Sequence, residues 1–406
     1  MIYRLLVTAV IASLPLLGGC LQRTDADLRV QGKSEDFVVK WELVGTFGEE
    51  APPLPEGADP WETRYEPGQF REIAGVCATS DEVWVCDLMV SRVQVFDFSG
   101  NYLREVGRGN ALDGLQPDDV LLYEQHYYGE KEKGDWEKEH GRPWFGTEGE
   151  LFKAADVCVV PEGFWLADRA RTKATSRHVR GAGYYLVTPD GVSPEYKNSK
   201  RLWPDHLAVN GQVVACAGGF GNYLTMAIPG TSDWKTKSLT PLPSFNVISS
   251  VMATYTGKPI YQRQLMIATN ASTAPSQFNH LGGIAFAFDK LVACDGGNQR
   301  LQVFEARPDP AAHWGTLLRI VPSHSARLGQ RFELPVDIDI SADGLIFVLD
   351  GVRHEVALLN PRFERIGSFG ASDLCEPRAI DLSDDGLHCF ITDRALNKVF
   401  HYAVRN

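Results

Sequence analysis

The chain has 406 residues, with 40 Lys and Arg against 52 Asp and Glu and a formal charge of −12. This acidic balance, with no cluster of Lys or Arg, excludes nucleic acid as a partner. An apolar content of 44% with 38 glycines describes a folded, turn-rich protein, long enough for two ordinary domains or one large β architecture.

The first element is an export signal. Arg4 supplies positive charge, and Leu5 to Leu17 is apolar except for Thr8, Ser13 and Pro15. A run this short ends before it can span a bilayer comfortably, so it reads as a cleaved signal over residues 1–19. Its end, Leu17-Gly18-Gly19-Cys20, resembles the bacterial lipobox. That resemblance implies cleavage before Cys20, acylation of its thiol and anchoring at a membrane without a transmembrane helix. Leu21 stands where Asp would direct retention. The implied location is therefore the cell envelope, at the outer membrane facing the periplasm. The polar residues 20–37 are expected to be a flexible tether behind the lipid.

Self-similarity organises the rest. Residues 75–107 hold an apolar strand, a polar turn, a second strand ending in Cys86-Asp87 and a third from Arg92 to Phe96. After Phe98-Ser99-Gly100-Asn101 a fourth runs from Tyr102 to Val106. Four short antiparallel strands with turns between them make one propeller blade. The pattern returns at 156–190, 206–228, 283–304, 337–370 and 379–402, and the last unit lacks its fourth strand. Residues 38–48 (VVKWELVGTFG) match the fourth-strand sequence FERIGSFG at 363–370 and are expected to close the ring.

These units resemble NHL repeats, most plainly at Arg-Val-Gln-Val-Phe (92–96) and Arg-Leu-Gln-Val-Phe (300–304). The resemblance covers residues 38–406. It implies an all-β fold, a six-bladed β-propeller of NHL-like four-stranded blades. Residues 243–276 contain VISSVMAT and QLMIATN. As an insertion they leave six blades; as a damaged blade they make seven.

A second insertion, at about 117–150, carries Tyr123, Tyr127, Tyr128, Trp136, Trp144 and Phe145 among Glu, Lys and His. Loops of this length in compact repeat proteins are functional or disordered. These aromatics are the candidate partner-binding residues, for an envelope protein, a peptide or a carbohydrate.

Stacking the repeats produces columns. One first-strand column holds Cys77, Cys158, Ala208, Ala285, Asp339 and Asp381. The column before the second-strand Asp holds Cys86, Ala167, Cys216, Cys294, Leu349 and Thr392. Cysteine in such positions reads as a small buried hydrophobe. The sharper alternative is a disulfide between Cys77 and Cys86, the one blade with Cys in both columns. Asp87, Asp168, Asp295, Asp350 and Asp393 close the second strands. Their repetition points to turn capping, with Arg92 and Arg300 as partners.

The position opening each first strand reads Gly75, Asp156, His206, Gly283, Asp337 and Ala379. First strands line a propeller's central channel. Asp156, His206 and Asp337 are thus candidate ligands for one divalent metal, calcium or zinc, or else part of a wet polar lining. Two functions follow. One is a lipid-anchored binding or assembly protein. The other is a metal-dependent enzyme, because similar propellers include gluconolactonase-like hydrolases and an amidating lyase. The sequence contains no Gly-x-Ser-x-Gly, no phosphate-cradling loop and no His-Glu-x-x-His.

Overall fold

A computed structural model describes residues 40–53, 65–88, 92–107, 154–168, 183–188, 191–192, 204–211, 213–218, 223–227, 264–267, 272–307, 315–322 and 331–405. The chain divides into Met1–Val38 and Val39–Asn406, and all described residues belong to the second unit. They form a β-propeller. Among them are six four-stranded antiparallel sheets, here I to VI in chain order.

The inner strand of each sheet comes first. These are Ile73–Ala78 (I), Ala154–Val160 (II), His206–Asn210 (III), Leu281–Ala287 (IV), Pro335–Ile340 (V) and Pro377–Leu382 (VI). Each pairs with the next strand in sequence, and in sheets I to V pairing proceeds outward in chain order. The inner strands adjoin one another in a closed circuit, I to II and onward to VI, which returns to I.

Alternation explains why the second strands are apolar throughout. In Lys290–Asp295, Leu291 and Ala293 pack toward sheet III, while Val292 and Cys294 pack toward sheet V. In Ile346–Asp350, Ile346 and Val348 face sheet IV, and Phe347 and Leu349 face sheet VI. A strand sandwiched on both faces reads as a continuous apolar run rather than an alternating one. Farther from the axis the sheets diverge. The outer strand Arg365–Phe369 accordingly alternates between half-buried and exposed residues.

Sheet VI obtains its outer strand from the other end of the chain. Lys40–Phe47 pairs antiparallel with Lys398–Arg405, from Lys40 opposite Arg405 to Phe47 opposite Val399. Trp41 stacks on Phe369 (centroids 5.3 Å, 14°) and meets Phe347 edge-on (5.3 Å, 87°), both in sheet V. Phe47 packs on Phe96 of sheet I at 5.0 Å. One strand thus contacts the sheets on both sides of the closure.

Sheet III differs from the sequence expectation. Gln264–Ile267, taken with 243–276 as inserted chain, pairs with Tyr223–Ala227 as the outer strand of that sheet. Its short apolar run completes a sheet that otherwise ends at Ala227. The additional chain therefore lies at 228–263, outside the described residues.

The second-strand aspartates cap turns, as expected from their repetition. Asp350 accepts from the backbone N–H groups of Glu333 (2.7 Å) and Leu334 (3.1 Å). Asp393 accepts from those of Cys375 (2.6 Å) and Glu376 (2.9 Å). Asp295 accepts from Asn279 N (2.8 Å) and from Arg300 Nε (2.6 Å). Asp87 accepts from Glu72 N at 3.2 Å, and Arg92 Nε lies 3.7 Å from its carboxylate. Each fully buried carboxylate ties the segment entering its own sheet to the end of the second strand. The side chain of Asp168 lies outside the described residues.

Trp41→Ala is expected to cost about 3–5 kcal/mol of stability. Leu43→Ala, at an exposed position of the same strand, should cost less than 1 kcal/mol. Urea unfolding of both variants checks this; equal losses would mean that strand pairing, rather than the indole, seals the ring.

Candidate functional site

The six inner strands enclose a cavity of about 210 Å³ on the propeller axis. One column contributes a residue from every sheet: Cys77, Cys158, Ala208, Ala285, Asp339 and Asp381. Asp156 and Asp337, from the other column, also line it.

An inner strand has a neighbour in its own sheet on one side only, so half of its N–H groups point toward the axis without a ladder partner. At four of the six joints, side chains of the adjoining sheet satisfy some of them. Asp156 Oδ2 accepts from Leu207 N at 2.7 Å, linking sheet II to III. Asp337 Oδ2 accepts from Ile380 N at 2.8 Å, and Asp339 Oδ2 from Leu382 N at 2.9 Å, linking V to VI twice. Asp381 Oδ2 accepts from Ala78 N at 2.6 Å, linking VI to I. Cys77 Sγ does the same across I and II, accepting from Val159 N at 3.3 Å. The register is constant: each donor follows the acceptor's own column mate in the next sheet.

Two glycines make room for two of the carboxylates. A Cβ on Gly75 would overlap Asp156 Oδ1, and one on Gly283 would overlap Asp337 Oδ1. Asp337 therefore leans through the space that a side chain in sheet IV would fill. This brings Asp337 Oδ1 to 3.7 Å from Nδ1 of the buried His206 in sheet III.

Burial governs the acidity of this cluster. It pushes Asp337 up to about 7, aided by the charge of Asp339 and opposed by the N–H groups of Ile380 and Ile338 and by Arg378. Asp156 is raised by burial and then by Asp337, against the N–H groups of Leu207 and Val157 and the charge of Arg378. Burial also raises Asp339, and it raises Asp381 together with the charge of Asp339. These groups hold protons well above the usual carboxylate range.

The structure thus brings His206 and Asp337 together and sets Asp156 in the same cavity wall. Among the described residues, no group of three or more His, Cys, Asp or Glu side chains is placed to hold a metal ion. Asp156 and Asp337 each commit one oxygen to a neighbouring strand. Asp339 and Asp381 line the cavity although their column reads in the sequence as small-residue packing. Acid in a column otherwise made of Cys and Ala was the available signal.

Cys77 and Cys86 are not joined in a disulfide. Cys77 stands opposite Trp84, and Cys86 stands opposite Val93. The Cys77 sulfur turns to the neighbouring sheet instead of along its own. Cys20 and the insertion residues Tyr123, Tyr127, Tyr128, Trp136, Trp144 and Phe145 lie outside the described residues.

No protein-family model matches the chain, and no curated protein matches it. The chain is similar to a solved protein of unknown function from Bacteroides thetaiotaomicron (TM-score 0.49, 10% identity, covering 90% of this chain and 76% of that one). It is also similar to a catalytically inactive virginiamycin B lyase from Staphylococcus aureus solved with quinupristin. That pair has a TM-score of 0.46 and 10% identity, covering 90% of this chain and 99% of the other.

Two predictions concern Asp337. Gly283→Ala is expected to lose about 1–3 kcal/mol by overpacking. Combined with Asp337→Ala it should lose less than the sum of the single losses, because the clashing carboxylate is gone. Strict additivity in denaturant unfolding would place the clash elsewhere. The second concerns pH. The carboxyl is raised from an ordinary 3.8 to about 7, so its contribution to stability is complete below 3.8 and is lost as pH rises through 7. The loss is on the order of 4 kcal/mol. Asp337→Asn keeps an acceptor for Ile380 and should remove that part of the slope between pH 4 and 8. Parallel stability profiles for the two proteins would contradict the assignment.

Proposed function

We propose that this is a lipid-anchored envelope protein, a six-bladed NHL-type propeller that works by binding. Its partner is another envelope protein, a peptide or a carbohydrate. The observation that carries this reading is the engagement of the axial carboxylates. Asp156, Asp337, Asp339 and Asp381 each satisfy a backbone N–H of an adjoining sheet. Each gives one oxygen to the joint between two sheets, so the axial acids lock the ring, which suits a rigid scaffold.

Recognition then falls to chain added to the scaffold. The aromatic-rich insertion at 117–150 lies in sequence between the outer strand of sheet I and the inner strand of sheet II. Aromatic side chains offer large contact area at small entropic cost, and they stack on sugars and peptides alike. The acylated Cys20 would hold the propeller at the outer membrane facing the periplasm.

Deleting 121–149 is expected to leave the unfolding transition in place and to abolish recovery of the partner in a crosslinking pull-down from the native envelope. Undiminished recovery would remove the insertion from the interface. Stoichiometric calcium or zinc on the deleted protein, lost in Asp156→Ala, would shift the reading to a metal-dependent hydrolase or lyase working at the channel mouth.

A further inference from the structure

Cys77 and Cys158 are the two sulfur-bearing members of the axial column, and they are neighbours. Their inner strands, Ile73–Ala78 and Ala154–Val160, pack side by side. Cys77 Sγ accepts from Val159 N at 3.3 Å, so its sulfur already reaches the strand that carries Cys158. Both thiols line the same cavity. Cys77 is buried and Cys158 is half-buried. The other thiols are arranged differently. Cys86, Cys216, Cys294 and Cys389 are buried on the second strands of four different sheets, and Cys375 is exposed.

We propose that Cys77 and Cys158 are a redox pair, forming a disulfide that staples sheet I to sheet II when the protein meets a small disulfide oxidant. Its two members belong to different sheets, so the repeat pattern of a single blade does not pair them. Formation needs the two sulfurs to close to a bond of about 2.05 Å, between strands that already lie alongside each other.

The exchange balances. The thiolate of Cys158, the more accessible sulfur, attacks one sulfur of the oxidant and expels one thiolate, leaving a mixed disulfide. Cys77 then gives up its proton and attacks Cys158 Sγ, expelling the second thiolate. Two protein thiols are oxidised, one small disulfide is reduced to two thiols, and the two protons pass to the departing thiolates. The neighbouring Cys158 thiol, then burial, hold the Cys77 thiol well above its ordinary range, which makes Cys77 the resolving rather than the attacking group.

The staple would close a loop containing the whole 108–153 segment, so it restrains the unfolded chain over a long stretch. The proposal stands apart from the partner reading, since it concerns the stability of the scaffold alone.

The test uses the full chain purified in detergent under reducing conditions, then treated folded with hydroxyethyl disulfide. Remaining thiols are blocked with N-ethylmaleimide after unfolding, and peptides are mapped by mass. The expected result is one joined peptide pair containing Cys77 and Cys158. Two fewer maleimides than in the reduced protein should be found, with a rise in Tm of about 5 °C or more. The Tm difference should vanish in Cys158→Ser and in Cys77→Ser; the first, at the cavity wall, suffices if the second fails to fold. Full maleimide labelling of both cysteines after oxidation, joining of Cys77 to another cysteine, or a joined pair without a Tm difference overturns the proposal.

Discussion

An inner strand at the axis of a propeller is an edge strand that cannot be covered by another strand, because the ring leaves no room for one. Its axis-facing N–H groups still require acceptors. At four of the six joints the acceptors are side chains of the adjoining inner strand, one sheet back around the ring. Carboxylates serve at Asp156, Asp337, Asp339 and Asp381, and a thiol serves at Cys77. A hydrogen bond to a carboxylate contributes about 1.5–3 kcal/mol when ionised. Its direction also fixes the stagger of one sheet against the next, so the same bonds that satisfy the edge set the register of the ring.

Taking carboxylates out of water opposes this arrangement. Burial disfavours the charged form, and neighbouring acids add to the effect, so the cluster holds protons that exposed aspartates would have released. The sequence accommodates the demand for space with glycine in the sheet beside Asp156 and beside Asp337. Around the cavity the chemistry is lopsided. Sheets V, VI, I and II present acid or sulfur in one column, while sheets III and IV present Ala208 and Ala285. The acidic side concentrates at V and VI, where two bonds cross the same joint.

How much of this could be read from residues alone depends on how far apart the interacting groups lie in the chain. The four-strand rhythm is local, so Cys86-Asp87 or Arg92 to Phe96 announces it. The closing strand is distant, but Lys40–Phe47 repeats the sequence of the strand it replaces, and the repeat reveals it. The capping aspartates were legible because each recurs at the same step of the motif and bonds within its own sheet. Gln264–Ile267 was not, since 36 residues separate it from Tyr223–Ala227 and four residues carry little pattern. The role of Asp339 and Asp381 was not legible, because it lies in the backbone of the sheet that comes next around the ring. The same holds for Cys77. Its partner is set by the placement of Cys158 in the following sheet, whereas the eye is drawn to Cys86, nine residues away.

The joints of the ring are not equal. Between sheets VI and I, Asp381 meets Ala78 N, Thr392 Oγ1 donates to Ala74 O at 2.6 Å, and Ile73 N donates to Asn397 Oδ1 at 3.3 Å. Phe47 adds an aromatic contact across the same joint. These bonds reinforce the sheet next to the closure, where Lys40–Phe47 pairs with Lys398–Arg405 and then leads the chain on to sheet I. The joint between I and II is continuous through the chain, but the connection is long, spanning residues 108–153. A long connection restrains the joint weakly, and the axial bond there is to sulfur, a poorer acceptor than a carboxylate. Sulfur offers what oxygen does not, a covalent alternative. The ring is therefore held by strand pairing where the chain ends meet, and by a thiol beside a second thiol at the joint between sheets I and II.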